Sequence, residues 1–240
     1  MQQAIVMGVG AQQGLGAELC RYFAKRGLAV HVVGRTLPKL ESVVSDIESA
    51  GGTATAHVVD CREEDAQAAL FESVSALGRI DLAIYNAGNA FPGSLSDITP
   101  TYFRDAWEVC CFGGFLFAQN ATRHMQPHQQ GTLLFTGASA SLRGRANFSA
   151  FNSAKAALRT LAQAVSKEYG PAGIHVAHVI IDGAINGNMV KSRWPKTAEK
   201  LGDAGMLSLQ GIAAAYGYLY DQPATAWSFE LDLRTACEPW

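Results

Sequence analysis

The chain has little charge and no long apolar run. Of its 240 residues only 17% are charged, 19 Lys and Arg against 21 Asp and Glu, for a net charge of −2. There is no basic run or stripe, which argues against a nucleic acid partner. The apolar runs, at 4–9, 28–33, 80–85, 131–135 and 174–181, fall well short of the ~20 residues that span a bilayer, so no membrane is expected. No basic stretch and no cleavage site precede the first apolar run, so no secretory leader is expected either. The five cysteines, Cys20, Cys61, Cys110, Cys111 and Cys237, are odd in number and lack metal-ligand spacing. The adjacent pair suits neither an ordinary disulfide nor a zinc site. These absences predict a reducing, cytoplasmic setting and no metal.

What is present is 48% hydrophobic, enough for one well-packed domain. Short apolar runs alternate with longer amphipathic stretches. The pattern predicts strands at 4–8, 28–34, 53–59, 80–85, 131–135 and 174–181. It predicts helices at 14–27, 36–50, 63–77, 100–125 and 149–169, the second opening at Thr36 with Pro38 in its first turn and stopping at Gly51-Gly52. The strands are apolar throughout rather than alternating, as in a parallel sheet covered by helices on both faces. Strand–helix alternation of this kind is a doubly wound α/β (Rossmann) domain, here residues 1–240. Residues 182–207 are the least regular part, and read as a lid-like insert or a plain surface excursion.

The chemistry begins where the first strand meets the first helix, at Gly8-Val9-Gly10-Ala11-Gln12-Gln13-Gly14-Leu15-Gly16. Glycines let the backbone turn tightly and approach a pyrophosphate, whose charge the helix N-terminus meets. The second strand ends in Gly34-Arg35. A carboxylate there would accept ribose hydroxyls of NAD, whereas an arginine can fork onto a 2′-phosphate.

Four segments in order resemble the short-chain dehydrogenase/reductase family over nearly the whole chain. Gly10, Gly14 and Gly16 match its TGxxxGxG turn, with Val9 replacing the threonine. Asp60 stands where the family contacts adenine, Asn86-Ala87-Gly88 matches its NAG motif, and Lys155 matches the lysine of YxxxK. The resemblance implies a seventh strand near 229–234, giving a seven-stranded, mostly parallel sheet, and a homodimer or homotetramer paired through the long helix 149–169. It implies a preference for NADP(H) over NAD(H), on the strength of Arg35, although Gln13 occupies a place where many NADP-dependent members carry a second basic residue. The expected cofactor contacts are Gly10, Gln13, Gly14, Leu15, Gly16, Arg35, Asp60, Cys61, Asn86, Ala87, Gly88, Lys155, Gly183 and Ile185.

The catalytic positions depart from the family. Phe151 stands at the tyrosine of YxxxK and Cys110 at the usual asparagine. The usual serine falls on Ala138, with Ser139 one residue beyond, and the Pro-Gly after the sixth strand becomes Asp182-Gly183. The pattern looks like a divergent subgroup that keeps Lys155 and offers Ser139 as a substrate hydrogen-bonding group. Phe151 has no proton to give, so carbonyl reduction cannot run unchanged. Asp182 reads as either a substitute acid or a turn cap, Cys110 as an acid or a small core residue, and the six histidines as structural. Two function classes remain open. One is an oxidoreductase acting on a small carbonyl, imine or activated alkene with altered proton handling. The other is a nucleotide-binding pseudoenzyme or accessory subunit.

Overall fold

A computed structural model describes residues 1–88 and 90–238. Seven strands form one sheet: β1 (Gln3–Met7), β2 (Ala29–Gly34), β3 (Thr53–Val58), β4 (Ile80–Tyr85), β5 (Gly131–Thr136), β6 (Ile174–Asp182) and β7 (Glu230–Arg234). Their spatial order is β3-β2-β1-β4-β5-β6-β7, so the chain reverses direction across the sheet after β3. Every pairing among the described residues is parallel, not merely most of them. β1, β2, β4, β5 and β6 are buried along their whole length, which is why they read as continuous apolar runs. The edge strands β3 and β7 are partly exposed.

Helices cover both faces. α1 (Leu15–Lys25), α2 (Leu37–Ser49) and α9 (Leu209–Tyr220) enclose one core, which contains Phe23, Leu40, Ile47 and Tyr216. α3 (Glu64–Ser75), α5 (Gly113–Met125) and α6 (Ser149–Tyr169) enclose the other, around Phe71, Tyr85, Phe117, Phe135 and Leu158. The helix expected over 100–125 is interrupted. α4 (Pro100–Trp107) runs into a π turn at Glu108–Phe112 before α5 begins, and the Gly113 amide reaches back five residues to Glu108 O. The 182–207 stretch contains two short helices, α7 (Asn188–Arg193) and α8 (Pro195–Leu201). Its ends are joined by Leu207 N–H to Ala184 O at 2.8 Å and Asn186 N–H to Leu207 O at 2.8 Å.

Candidate active site

The loops at the C-terminal ends of the strands hold the residues of interest, the edge at which open α/β sheets bind ligands. β1 leaves at Met7 and turns into α1. Asn86, just past β4, ties this turn down: its amide donates to Met7 O at 2.9 Å and its side chain to Gly8 O at 3.1 Å. Gly16 packs so tightly that a Cβ there would lie 2.9 Å from Gly8 O, so a side chain would push helix from strand. The N-cap residue of α1 is Gly14, with no side-chain cap on the first amides. Those amides remain available to an anion. Gly10 and Gln13 are exposed, and Leu15 is buried in the core below them.

Gly34 closes β2 against the turn, and a Cβ on it would run into Val9 O, so no side chain of any kind fits there. Arg35 is exposed and makes no hydrogen bond or ion pair among the described residues, though its charge helps hold Asp60 ionised. The Asp60 carboxylate is already gripped by Arg62, through Nη2 at 2.8 Å, Nε at 3.1 Å and the backbone amide at 3.0 Å. These bonds hold the carboxyl below the usual carboxylate range. Cys61 is buried, which pushes its thiol up. Ala87 is buried and Gly88 exposed beside it.

Lys155 is the most unusual group in this region. It is only 3% exposed, its Nζ donates to Thr136 O at 2.7 Å, and a Cβ on Gly88 would lie 3.7 Å from Nζ. Burial pulls the ammonium below its ordinary value, and nearby Cys110 opposes this weakly. Phe151, one turn earlier on α6, has its ring centroid 5.9 Å from that nitrogen. Ser139 opens a short 3₁₀ turn, Ser139–Ser141, and its half-buried hydroxyl has no partner among the described residues. Cys110 is fully buried within the π turn.

The insert lies against the mouth of this region. Asn188 N–H donates to Gln13 O at 2.8 Å, and the Arg193 guanidinium sits 4.1 Å from the centre of the Phe91 ring in the β4–α4 loop. Gly183 and Ile185 are half-buried at its root. Asp182, 1% exposed, is neither a turn cap nor an open acid. Arg143 holds both of its oxygens at 2.9 Å and Arg234 approaches at 3.2 Å.

The sequence profile of the short chain dehydrogenases matches residues 4–198. The chain belongs to the short-chain dehydrogenase family. It is therefore of an oxidoreductase family built on an NAD(P)-binding Rossmann fold. It is 30% identical over 224 residues to the uncharacterized oxidoreductase YuxG of Bacillus subtilis (strain 168), covering 91% of this chain but only 30% of that relative's length. Among solved structures, a short-chain dehydrogenase from Rhodopseudomonas palustris superposes with a TM-score of 0.83 at 35% identity, covering 97% of this chain and 98% of that one. A 7α-hydroxysteroid dehydrogenase, complexed with NADH and 7-oxo glycochenodeoxycholic acid, superposes with a TM-score of 0.88 at 28% identity, covering 98% and 93%.

Several residues of this short-chain dehydrogenase were not singled out from its sequence. The Tyr85 phenol donates to Val109 O at 2.5 Å, satisfying a carbonyl in the π turn. Arg143 is bound to Asp182 across a separation of 39 residues, and the Tyr216 and Thr136 hydroxyls meet at 2.7 Å. These pairs join distant segments, so no local spacing signals them. Only the buried polar residue in an apolar strand, as at Asp182 and His178, marks where to look.

Proposed function

We propose that this chain is an NADP(H)-dependent oxidoreductase acting on a small organic substrate whose reduction does not demand a strong acid at oxygen. Protonated imines and activated enones are the best-fitting class, with simple carbonyls poorer. The observation that carries the reading is Lys155, a buried ammonium with a single acceptor among the described residues, Thr136 O, beside the open backbone of Gly88. Burying an ammonium is costly, and a group kept under that cost beside a nucleotide-binding turn is best explained by a ligand it holds.

The residues present suit a dinucleotide. Uncapped amides at the start of α1 meet its pyrophosphate, Lys155 meets the hydroxyls of the nicotinamide ribose, and Asn86 keeps the turn against β4. Arg35 is free to meet a 2′-phosphate, and the close approach of Gly34 to Val9 O leaves no room for a competing carboxylate. Asp60 would meet the adenine only with the side of its carboxylate that Arg62 leaves open. The dinucleotide supplies hydride, while the protein supplies orientation and charge. Ser139 steadies a substrate oxygen, Phe151 forms pocket wall where the family has its tyrosine, and Cys110 fills core where the family has asparagine. The segment 182–207 serves as a lid. One feature favours a second reading, nucleotide binding without turnover: no ionisable acid lies beside Lys155 on α6.

The two readings separate when protein and NADPH are mixed with imines, enones, ketones, aldehydes and quinones in turn and cofactor absorbance is followed. Consumption with imines or enones supports the oxidoreductase. Tight NADPH binding without consumption in any class supports the second reading.

A further inference from the structure

Behind the Ser139 turn lies a buried chain of polar groups that the proposed chemistry does not use. His178, in the middle of β6, is fully buried and lies opposite Phe135 of β5 and Glu230 of β7. Its Nδ1 is 3.1 Å from Glu230 Oε2, and its Nε2 is 3.3 Å from Ser141 Oγ. Glu230 is anchored from α6 by Arg159, through Nε at 2.6 Å and Nη2 at 2.8 Å. At the other end, Ser141 Oγ accepts the Ala138 amide at 3.2 Å.

The proton positions follow from what each group can do. Arg159 holds the Glu230 carboxyl below the usual range, so Glu230 is ionised and only accepts. Burial pushes His178 down to about 4 against the opposing pull of Glu230, so the ring is neutral at pH 7. Its one proton is then on Nδ1, facing the carboxylate, and Nε2 is an acceptor. Ser141, having received the Ala138 amide, gives its own proton to Nε2. Every donor in the chain points towards Glu230, and no position is left to choose another partner. Gly137 makes the approach possible, because a Cβ there would run into the His178 imidazole. The same short segment also supplies Thr136 O, the acceptor for Lys155.

We propose that Glu230, His178 and Ser141 are positioning residues. Together they clamp the 137–141 turn so that the Ser139 hydroxyl stays unpaired at the site. The Ala138 amide is used up by the clamp, and the Ser139 hydroxyl is left unpaired to meet a substrate oxygen. Preorganising a donor in this way matters because a group that must first be ordered contributes less when charge develops. The proposal rests on the reading of Ser139 given above.

Its test uses two readouts on the full-length protein. The first is hydrogen–deuterium exchange of residues 137–142, which needs no turnover. The second is steady-state kinetics with whichever substrate class is reduced. Ser141→Ala, nearly isosteric, is expected to speed exchange in 137–142 while leaving β1 and α1 and the affinity for NADPH as in wild type. It is expected to lower kcat about tenfold, the worth of one hydrogen bond, with little change in KM. In a Ser139→Ala background the same change is expected to cost nothing further, because the clamp acts only through Ser139. Glu230→Gln keeps an acceptor for Nδ1 and is expected to retain most of the activity, which Glu230→Leu loses. Unchanged exchange in Ser141→Ala, or losses from Ser139→Ala and Ser141→Ala that multiply, overturns the clamp. If wild type reduces nothing, the oxidoreductase reading fails by itself, and the exchange result alone then decides the clamp.

Discussion

Lys155 and Phe151 define what can be asked at the level of single residues. Tyrosine at 151 would put a phenol near an ammonium that favours its ionised form. General acids are typically worth ~10²–10⁴ in rate. Phe151→Tyr is therefore expected to raise ketone reduction above background, but by less than that range, since Cys110, matched in sequence to the family's asparagine, is buried and Ser139 is the hydroxyl of its turn left unpaired among the described residues. A wild-type protein that already reduces simple ketones at ordinary rates, unmoved by Phe151→Tyr, would show that another group gives the proton. Arg35 offers a second test. It makes no hydrogen bond or ion pair among the described residues, so Arg35→Ala is expected to leave thermal stability nearly unchanged. It should weaken NADPH binding about tenfold or more, the scale of a charged hydrogen bond, and barely affect NADH. Equal calorimetric affinities of wild type for the two dinucleotides would end the NADP(H) assignment. Lys155 and the glycine turn could be singled out in sequence because each is a short signal at a fixed place along the chain. The role of Asp182 was not, because its partners Arg143 and Arg234 lie 39 and 52 residues away.

Element boundaries followed the hydrophobic pattern closely: β4 and α6 fall where periodicity places them, and the other matched ends shift by at most two residues. The π turn within 100–125 was invisible, since Glu108–Phe112 has no Gly or Pro to mark a break in the helical pattern. Its cause is tertiary. The Tyr85 phenol from β4 takes Val109 O, and Gly113 leaves the space that the phenol fills. A Cβ at 113 would also lie 2.7 Å from Cys61 O. Gly113→Ala is thus expected to cost roughly 1–3 kcal/mol, the usual price of overpacking. Tyr85→Phe should destabilise alone, by leaving Val109 O only the weak Cys61 thiol donor at 4.0 Å, yet offset part of the cost of Gly113→Ala in the double variant. Additive losses in chemical denaturation would mean that the phenol and Gly113 do not share this space.

Across the whole molecule, buried histidines tie stability to pH. His31 meets His57 at 2.8 Å and Gln3 at 3.0 Å in the interior of the sheet, and burial with the neighbouring ring pushes it down to about 4. His178 is pushed down to about 4 as well, again mainly by burial. A histidine whose folded value lies below its unfolded one near 6.5 stabilises the fold fully above pH 6.5. That stability is lost as pH falls from 6.5 towards 4, at up to ~1.4 kcal/mol per pH unit for each ring. Melting temperature is expected to fall between pH 6.5 and 4.5, above the range in which the paired carboxylates Asp60 and Glu230 titrate, and less steeply in His31→Gln. A flat profile over that window would refute it. Self-association is the second expectation at this scale. The apolar stripe of α6 is largely spent inside the chain, since Ala154, Leu158, Ala162 and Val165 are buried. An exposed aromatic ribbon remains on α4 and α5, with Phe103 39%, Trp107 41% and Phe115 41% exposed. A dimer or tetramer is expected by sedimentation at micromolar concentration, and a monomer there would remove the proposal.

By itself the sequence determined the layer architecture and the strand order in time, because each depends on local periodicity, and it singled out the glycine turn and Phe151 by their fixed places along the chain. The tertiary structure decided what those residues can do. Burial pulls the Lys155 ammonium below its ordinary value and sets the protonation of His178, and strand register brings Glu230 opposite His178. Such facts depend on which segments meet in space, and contacts across 39, 52 or 80 residues leave no mark on any local window of sequence.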